Sequence, residues 1–243
     1  MRQQAANGHI PITRRKRVAL LFCCGVVVRA ITPAGAHAEI DSMAILLIRH
    51  GETPLNAKRV IQWPNTPLSE RGQKQAAAVG ERLAVAPLSL VLASDYQRAY
   101  ATAQAVSRSN GAPLEVETTL RERHFGDLRG QAIEDLPHDP FAPGYAPPGG
   151  ESWDEFHARA RRAWTEVVIR AEQVDGDVAV VTHGLVLRSL CEYVLELAEH
   201  VSMAGAAFAN TSLTQVHGPP WTVQLLACDM HLGDALRAEG GKA

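Results

Sequence analysis

Four side chains in this 243-residue sequence have the types and the placing to act on one ligand together. Arg49-His50-Gly51-Glu52-Thr53 follows directly on the apolar run Ala44–Ile48. Thr182-His183-Gly184 closes a second such run, Asp177–Thr182. Arg98 falls one turn into a helical stretch after a third run that ends at Ala93. If the three runs are strands of an open α/β sheet, His50, His183, Arg49 and Arg98 meet at their carboxyl ends, where such sheets bind ligands. Two guanidinium groups and two imidazoles suit a dianionic phosphate, because arginine offers a planar fork of donors and keeps its charge. The glycines after each histidine, Gly51 and Gly184, let backbone approach a ligand closely. A lone strand-end histidine is more often a satisfied structural residue. The specific signal is the Arg-His-Gly-Glu-Thr string in this position.

These residues need elements to hold them. Ala44–Ile48, Ser89–Ala93 and Asp177–Thr182 are short and almost wholly apolar, as strands buried on both faces of a parallel sheet are. Leu114–Val116, Leu213–Val216 and Thr222–Ala227 read as further strands. Between them run four helical periods. Ser69 caps the first, with Ala76, Val79 and Leu83 on one face. The second runs from about Tyr96 to Ser107, with Ala99, Ala103 and Val106 inward. Ser152-Trp153-Asp154-Glu155 is a capping box opening the third, which buries Trp153, Phe156, Ala160, Ala163, Val167 and Ala171. The fourth follows Gly184 and turns Leu187, Leu190, Cys191 and Val194 inward. Strand-helix alternation predicts an α/β three-layer sandwich, a mainly parallel central sheet with helices on both faces. Leu136–Gly150, rich in proline and glycine, can be neither regular helix nor central strand. It is a surface connection or a loop over a site.

Composition bounds the rest. At 46 % hydrophobic and 21 % charged residues the chain is globular, neither disordered nor a coiled coil as a whole. Residues 1–42 carry six basic and two acidic side chains, against 18 basic and 24 acidic in the remainder, and are read separately. Arg14–Arg17, the apolar Val18–Val28 and Ala36-His37-Ala38 form a signal-like extension with cleavage after Ala38. The eleven-residue run is too short for a stable membrane anchor. The other reading is a mis-called start, translation beginning at Met43 with 1–42 unstructured. The catalytic domain is then 43–236, with a tail at 237–243. The net charge of -2 gives no reason to expect a nucleic-acid partner. Cys191 and Cys228 lie in apolar patterns and read as buried free thiols, which leans towards the cytoplasm; a true signal would send the protein to the periplasm. The other histidines show no metal-binding spacing, and no P-loop string occurs, so neither metal nor cofactor is expected. Arg159, Arg161 and Arg162 read as the solvated face of the third helix.

A wider pattern surrounds the histidines. Arg49-His50-Gly51-Glu52-Thr53-Pro54-Leu55-Asn56 with Pro67-Leu68-Ser69-Glu70-Arg71-Gly72, then Ser94-Asp95-Tyr96-Gln97-Arg98-Ala99, Leu120-Arg121-Glu122-Arg123-His124-Phe125-Gly126, Gly149-Gly150-Glu151-Ser152 and Val181-Thr182-His183-Gly184, stand in an order that resembles the histidine phosphatase superfamily, also called phosphoglycerate mutase-like. Asn210-Thr211-Ser212 resembles the start of that family's late strand. The resemblance covers roughly Ala44 to Ala227. It implies that His50 is the nucleophile and becomes a phosphohistidine. Arg49, Arg98 and His183 hold the phosphoryl oxygens, with Gly184 beside them, and Glu122 gives a proton to the leaving oxygen. Asn56, Gln62 and Glu151 are further pocket candidates. Glu151 can equally be the acid that starts the third helix. Glu52 and Asp127 compete with Glu122 for the acid, and His124 borders either the pocket or solvent.

The chemistry agrees with that assignment. Imidazole attacks only when neutral, and two neighbouring guanidiniums should lower the pKa of His50. A general acid working near neutral pH needs a raised pKa. Bisphosphoglycerate-dependent mutases of this family carry a longer insertion between the acid and the second histidine. Its absence between Glu122 and His183 favours a phosphomonoesterase. Val60–Thr66 departs from the mutase string, so the second pocket wall is open. Three readings follow: a phosphatase of small phosphorylated metabolites acting through His50, a phosphoglycerate mutase, and a phosphohistidine protein phosphatase or non-enzymatic phospho-ligand module. A homodimer is compatible with each.

Overall fold

The computed structural model describes residues 43–237; the expected N-terminal extension and the tail beyond Arg237 lie outside the described residues. Alternating burial drives the architecture. In β1 (Met43–Arg49), Ile45 and Leu47 enter one apolar cluster while Ala44, Leu46 and Ile48 enter another. β2 (Leu88–Ala93) and β4 (Asp177–Thr182) divide in the same way, Leu90, Leu92, Val178 and Val180 to the first side and Val91, Ala93, Ala179 and Val181 to the second. A strand apolar on both faces must be covered on both, each buried aliphatic side chain contributing roughly 1.5–3 kcal/mol.

Two helical layers supply the cover. α2 (Glu70–Leu83) and α3 (Gln97–Asn110) pack Val79, Leu83, Ala99, Ala103 and Val106 on one face. α4 (Trp153–Ala171) and α5 (Gly184–Tyr193) pack Phe156, Trp164, Val167, Leu187 and Leu190 on the other. A four-residue α1 (Pro54–Ala57) follows β1 directly; it is too short to show a period. The Ser69 and Ser152 caps form as expected, the latter with Glu155 in a full capping box.

With β3 (Leu114–Val116), β5 (Glu196–Leu197), β6 (Leu213–Gly218) and β7 (Thr222–Cys228), the seven-stranded sheet runs β3-β2-β4-β1-β6-β7-β5. β3, β2, β4 and β1 are mutually parallel, whereas β6 runs antiparallel to β1 and to β7. The three-layer α/β sandwich is therefore as expected, with one internal strand, β6, antiparallel to the rest. β1 leads into α2 on one face and its neighbour β4 into α5 on the other. Their carboxyl ends diverge, leaving the crevice of a topological switch point.

Four local expectations are corrected. Trp153 is half-buried and Trp164 takes the core position, because the first residue of α4 lies at the rim of its layer. Trp153 instead covers the guanidinium of Arg123, 3.9 Å from the ring centroid, and donates from Nε1 to the carbonyl of Ala142. Val194 caps the end of α5 and is only partly covered. Cys228 is half-exposed against Arg82, while Cys191 is buried and its thiol is pushed up to about 12 by burial. Arg159 is no solvated side chain: it donates to both carboxylate oxygens of Glu151 and to the carbonyls of Thr119, Arg121 and Glu122, bracing the segment that carries Glu122.

Candidate active site

The crevice is a cleft of about 600 Å³. His50 enters it as the first residue beyond β1. Its backbone N–H donates to Thr182 O on β4, and its carbonyl accepts from Asn210 Nδ2, so the backbone at the strand end is held from both sides. Two independent bonds set the ring. Nδ1 lies 2.7 Å from Gly51 O, an acceptor only, so Nδ1 carries the proton. Arg98 Nε donates to Nε2 at 3.2 Å, so Nε2 carries the lone pair. His50 is thus a neutral imidazole with its basic nitrogen in the cleft. Burial first, then Arg98 and Arg49, hold its pKa well below the usual histidine range, against the opposing pull of the Gly51 carbonyl.

The other groups converge around that nitrogen. The His50 and His183 rings meet edge to face at 5.1 Å between centroids. His183 Nε2 is hydrogen-bonded to Ser94 Oγ at 2.9 Å, beyond the end of β2. Arg49 Nη1 donates to Phe208 O, and Arg98 Nη1 to Trp63 O. Arg49 Nε and His183 Nδ1 are buried without a hydrogen-bond partner in the protein. Arg49 lines the cleft, whereas His183 is not among its lining residues and meets it through the edge of the His50 ring. Buried polar atoms are nearly always satisfied, so the free Arg49 Nε in the cleft points to a ligand that bonds it. Burial lowers the pKa of both arginines, Arg98 to about 10. Burial and the same arginines hold His183 well below its ordinary value.

Glu122 reaches the cleft from the loop after β3. Its carboxylate accepts from the backbone N–H of Arg123 (3.0 Å) and of Leu185 (3.3 Å), the latter at the N-terminus of α5. Desolvation raises its pKa and outweighs those bonds and the charges of Arg98 and Arg49. Its competitors are otherwise engaged: Glu52 accepts from Ser69 Oγ and Arg71, and Asp127 is exposed.

Asn56 and Gln62 line the cleft. Their side-chain oxygens accept from Thr53, by its backbone N–H and its hydroxyl respectively, so their amide N–H groups are turned to other acceptors. Gly184 also lines it; a Cβ there would meet Arg49 Nε at 3.5 Å, an ordinary contact. Neither Glu151 nor His124 is among the lining residues; the Glu151 carboxylate is spent on Arg159 and on the backbone N–H of His124. Gly51 is needed for a reason other than ligand approach. A Cβ there would lie 2.6 Å from Gly72 O, where the first turn of α2 presses on the catalytic loop.

Several lining residues had no signal of their own: Arg59, Arg129, Tyr96 and Phe141. Tyr96 packs edge-on against His183, and its hydroxyl accepts from Arg129 Nη2 at 3.0 Å. Phe141 comes from the proline- and glycine-rich stretch, whose Pro140 and Tyr145 carbonyls are pinned by buried Arg123. That stretch forms part of the wall.

A neutral imidazole among buried guanidiniums, at the switch point of an α/β sheet with a carboxyl group opposite, defines a phosphoryl-transfer enzyme. Residues 45–229 match the histidine phosphatase superfamily (branch 1), and the chain belongs to that family. It is 34 % identical over 80 % of its length to phosphoglycerate mutase-like protein 4 of Arabidopsis thaliana, covering 89 % of that protein. It is 34 % identical over 72 % of its length to the glucosyl-3-phosphoglycerate phosphatase of Mycobacterium tuberculosis, covering 85 %. A solved mycobacterial glucosyl-3-phosphoglycerate phosphatase, in complex with VO3, superposes with a TM-score of 0.65 at 29 % identity, over 76 % of this chain and 99 % of that one.

Proposed function

We propose that the protein is a metal-independent phosphomonoesterase of small phosphorylated metabolites, working through phospho-His50. The observation that carries this is the paired hydrogen bonding of the His50 ring, Nδ1 to Gly51 O and Nε2 to Arg98 Nε, which fixes the basic nitrogen in the same cleft as Arg49 Nε, a buried donor without a partner.

In the first step His50 Nε2 bonds to phosphorus and the ester P–O bond breaks. The leaving oxygen takes the proton of Glu122. In the second, water attacks the phosphohistidine, the Glu122 carboxylate takes its proton, and the P–N bond breaks to release phosphate and the free imidazole. Arg49, Arg98 and His183 hold the equatorial oxygens, where charge builds in the transition state. Asn56 and Gln62 add neutral N–H donors. Turnover of an aryl phosphate is expected to persist in excess EDTA. Loss of activity with chelator, restored by a divalent ion, would refute the metal-free scheme. Phosphatase is favoured over mutase by the short path from Glu122 to His183. Quantitative conversion of 3-phosphoglycerate to its isomer with a bisphosphoglycerate primer, without phosphate release, would reverse that order.

The wall opposite α5 indicates what else the substrate carries. Residues 59–61 pair with 130–133, bringing Arg59 and Arg129 to the same wall of the cleft. Among the described residues neither has a carboxylate partner, and Arg129 lies close enough to Arg98 to disfavour its charge. Two uncompensated cations beside the phosphoryl pocket favour a substrate with a second anionic group. Arg129→Ala is expected to lower kcat/KM for a phosphorylated sugar acid about tenfold relative to an aryl phosphate, as loss of one charge-assisted hydrogen bond should. An equal change on both substrates would remove Arg129 from specificity.

A further inference from the structure

We propose that Gln75, on the inner face of α2 and outside the cleft, is a positioning residue that sets the tautomer of His50 through the Gly51–Glu52 peptide. The inference rests on the reading of His50 Nε2 as the attacking atom. A peptide group is rigid and planar, with its C=O and N–H on opposite sides. The carbonyl of this one, Gly51 O, accepts from His50 Nδ1 at 2.7 Å. Its N–H, on Glu52, donates to Gln75 Oε1 at 2.9 Å. The plane cannot turn away from one partner and keep the other.

Gln75 is 1 % exposed and can sit only one way round. Its Nε2 donates to Leu236 O at 2.8 Å while its Oε1 receives the Glu52 N–H. A flipped amide would set N–H against N–H and oxygen against oxygen. The amide nitrogen of Gly51 is held as well, donating to Thr102 Oγ1 at 3.0 Å. The nucleophile's ring, the peptide, Gln75 and the Leu236 carbonyl therefore form one hydrogen-bonded chain. Its far end is the segment whose Asp234, Ala235 and Arg237 line the cleft.

Without the Gln75 oxygen, the Glu52 N–H is buried with no acceptor, and the peptide turns to find one. The Nδ1–H bond to Gly51 then weakens. The Arg98 bond at Nε2 is then left alone to hold the tautomer. The ratio of the form protonated on Nε2, which has no lone pair for attack, to the form protonated on Nδ1 rises about tenfold, the worth of one ordinary hydrogen bond.

The test reads the ring directly, by ¹⁵N spectroscopy of the imidazole nitrogens, alongside kinetics. In the wild type Nδ1 is the protonated nitrogen and Nε2 the bare one. Gln75→Met is expected to move both signals towards averaged values and to lower kcat by the same fraction of Nδ1-protonated ring that the spectra show to be lost, with KM changed less than twofold. Gln75→Asn keeps an amide in the slot but cannot reach the Glu52 N–H, and is expected to shift the ring in the same direction; it decides the matter if the Met variant fails to fold. Gln75→Glu, its carboxyl kept protonated by burial so that one oxygen accepts the Glu52 N–H and the hydroxyl donates to Leu236 O, is expected to restore the wild-type pattern. Wild-type ring signals in the folded Met or Asn variant overturn the proposal. So does a Glu variant that matches the Met variant, since packing would then set the ring. The ring signals need no turnover, so an enzyme inactive on every ester would refute the phosphatase reading and leave this one decided.

Discussion

Replacing His50 with alanine is expected to lower kcat by about 10⁴-fold or more and to abolish acid-labile phosphate on the protein, because the covalent route loses its only attacking atom. The effect belongs to chemistry rather than to folding. The ring makes one backbone hydrogen bond, to Gly51 O, and leaving that acceptor unpaired costs about 1–3 kcal/mol. The strand that positions it is held independently, by five register pairs with β4 and six with β6. The variant should therefore still fold, and should still bind phosphate through Arg49, Arg98 and His183. The measurement is phosphate release together with trapping of phosphoenzyme in acid and alkali. An acid-labile phosphoenzyme in the alanine variant would place the nucleophile elsewhere.

Glu122→Gln is expected to have the second-largest effect, with a size that depends on the substrate. Glutamine keeps the oxygen that accepts from Arg123 N–H and loses the transferable proton. Alkyl phosphates, whose leaving oxygen needs that proton, should slow by about 10²–10⁴-fold. Aryl phosphates with an acidic leaving phenol should slow far less. An equal loss on both would make Glu122 a structural residue. The pH profile gives a second reading. In the proposed mechanism the active form has His50 neutral and Glu122 protonated. Since burial and the arginines depress His50, the acid limb of kcat/KM lies well below 6.5. Since desolvation raises Glu122, the protonated acid persists above its ordinary 4.5 and is lost as pH climbs through the raised value. Activity thus rises through the first and falls through the second. The glutamine variant should lack the alkaline limb while the acid limb stays.

Much of this was legible in the chain itself. Nearly unbroken apolar runs in Ala44–Ile48, Ser89–Ala93 and Asp177–Thr182 marked strands covered on both faces, and each strand end carried its chemistry in the next residue or the next turn. That is why Arg49, His50, Arg98 and His183 could be placed together before any coordinates. β5 and α1 could not be read, because two and four residues contain no period. The antiparallel β6 was legible as a strand but not in direction, since burial alternates alike in both senses.

Local sequence dictated the strands, the caps and the presence of a histidine at the ends of β1 and β4, because these depend on residues within a few positions of one another. Three other matters depended on groups far apart in the chain. Arg159, on a charged helix face that reads as solvated, turned inward because Glu151 and three carbonyls converge on it. Glu151, which looked equally fit for the pocket, was thereby spent. The protonated nitrogen of His50 was settled by a carbonyl one residue away, but the peptide bearing that carbonyl is oriented by a glutamine from another helix. Spacing can bring a side chain to the sheet's edge; which atom of it faces the ligand follows from partners that only the folded chain brings within hydrogen-bond reach.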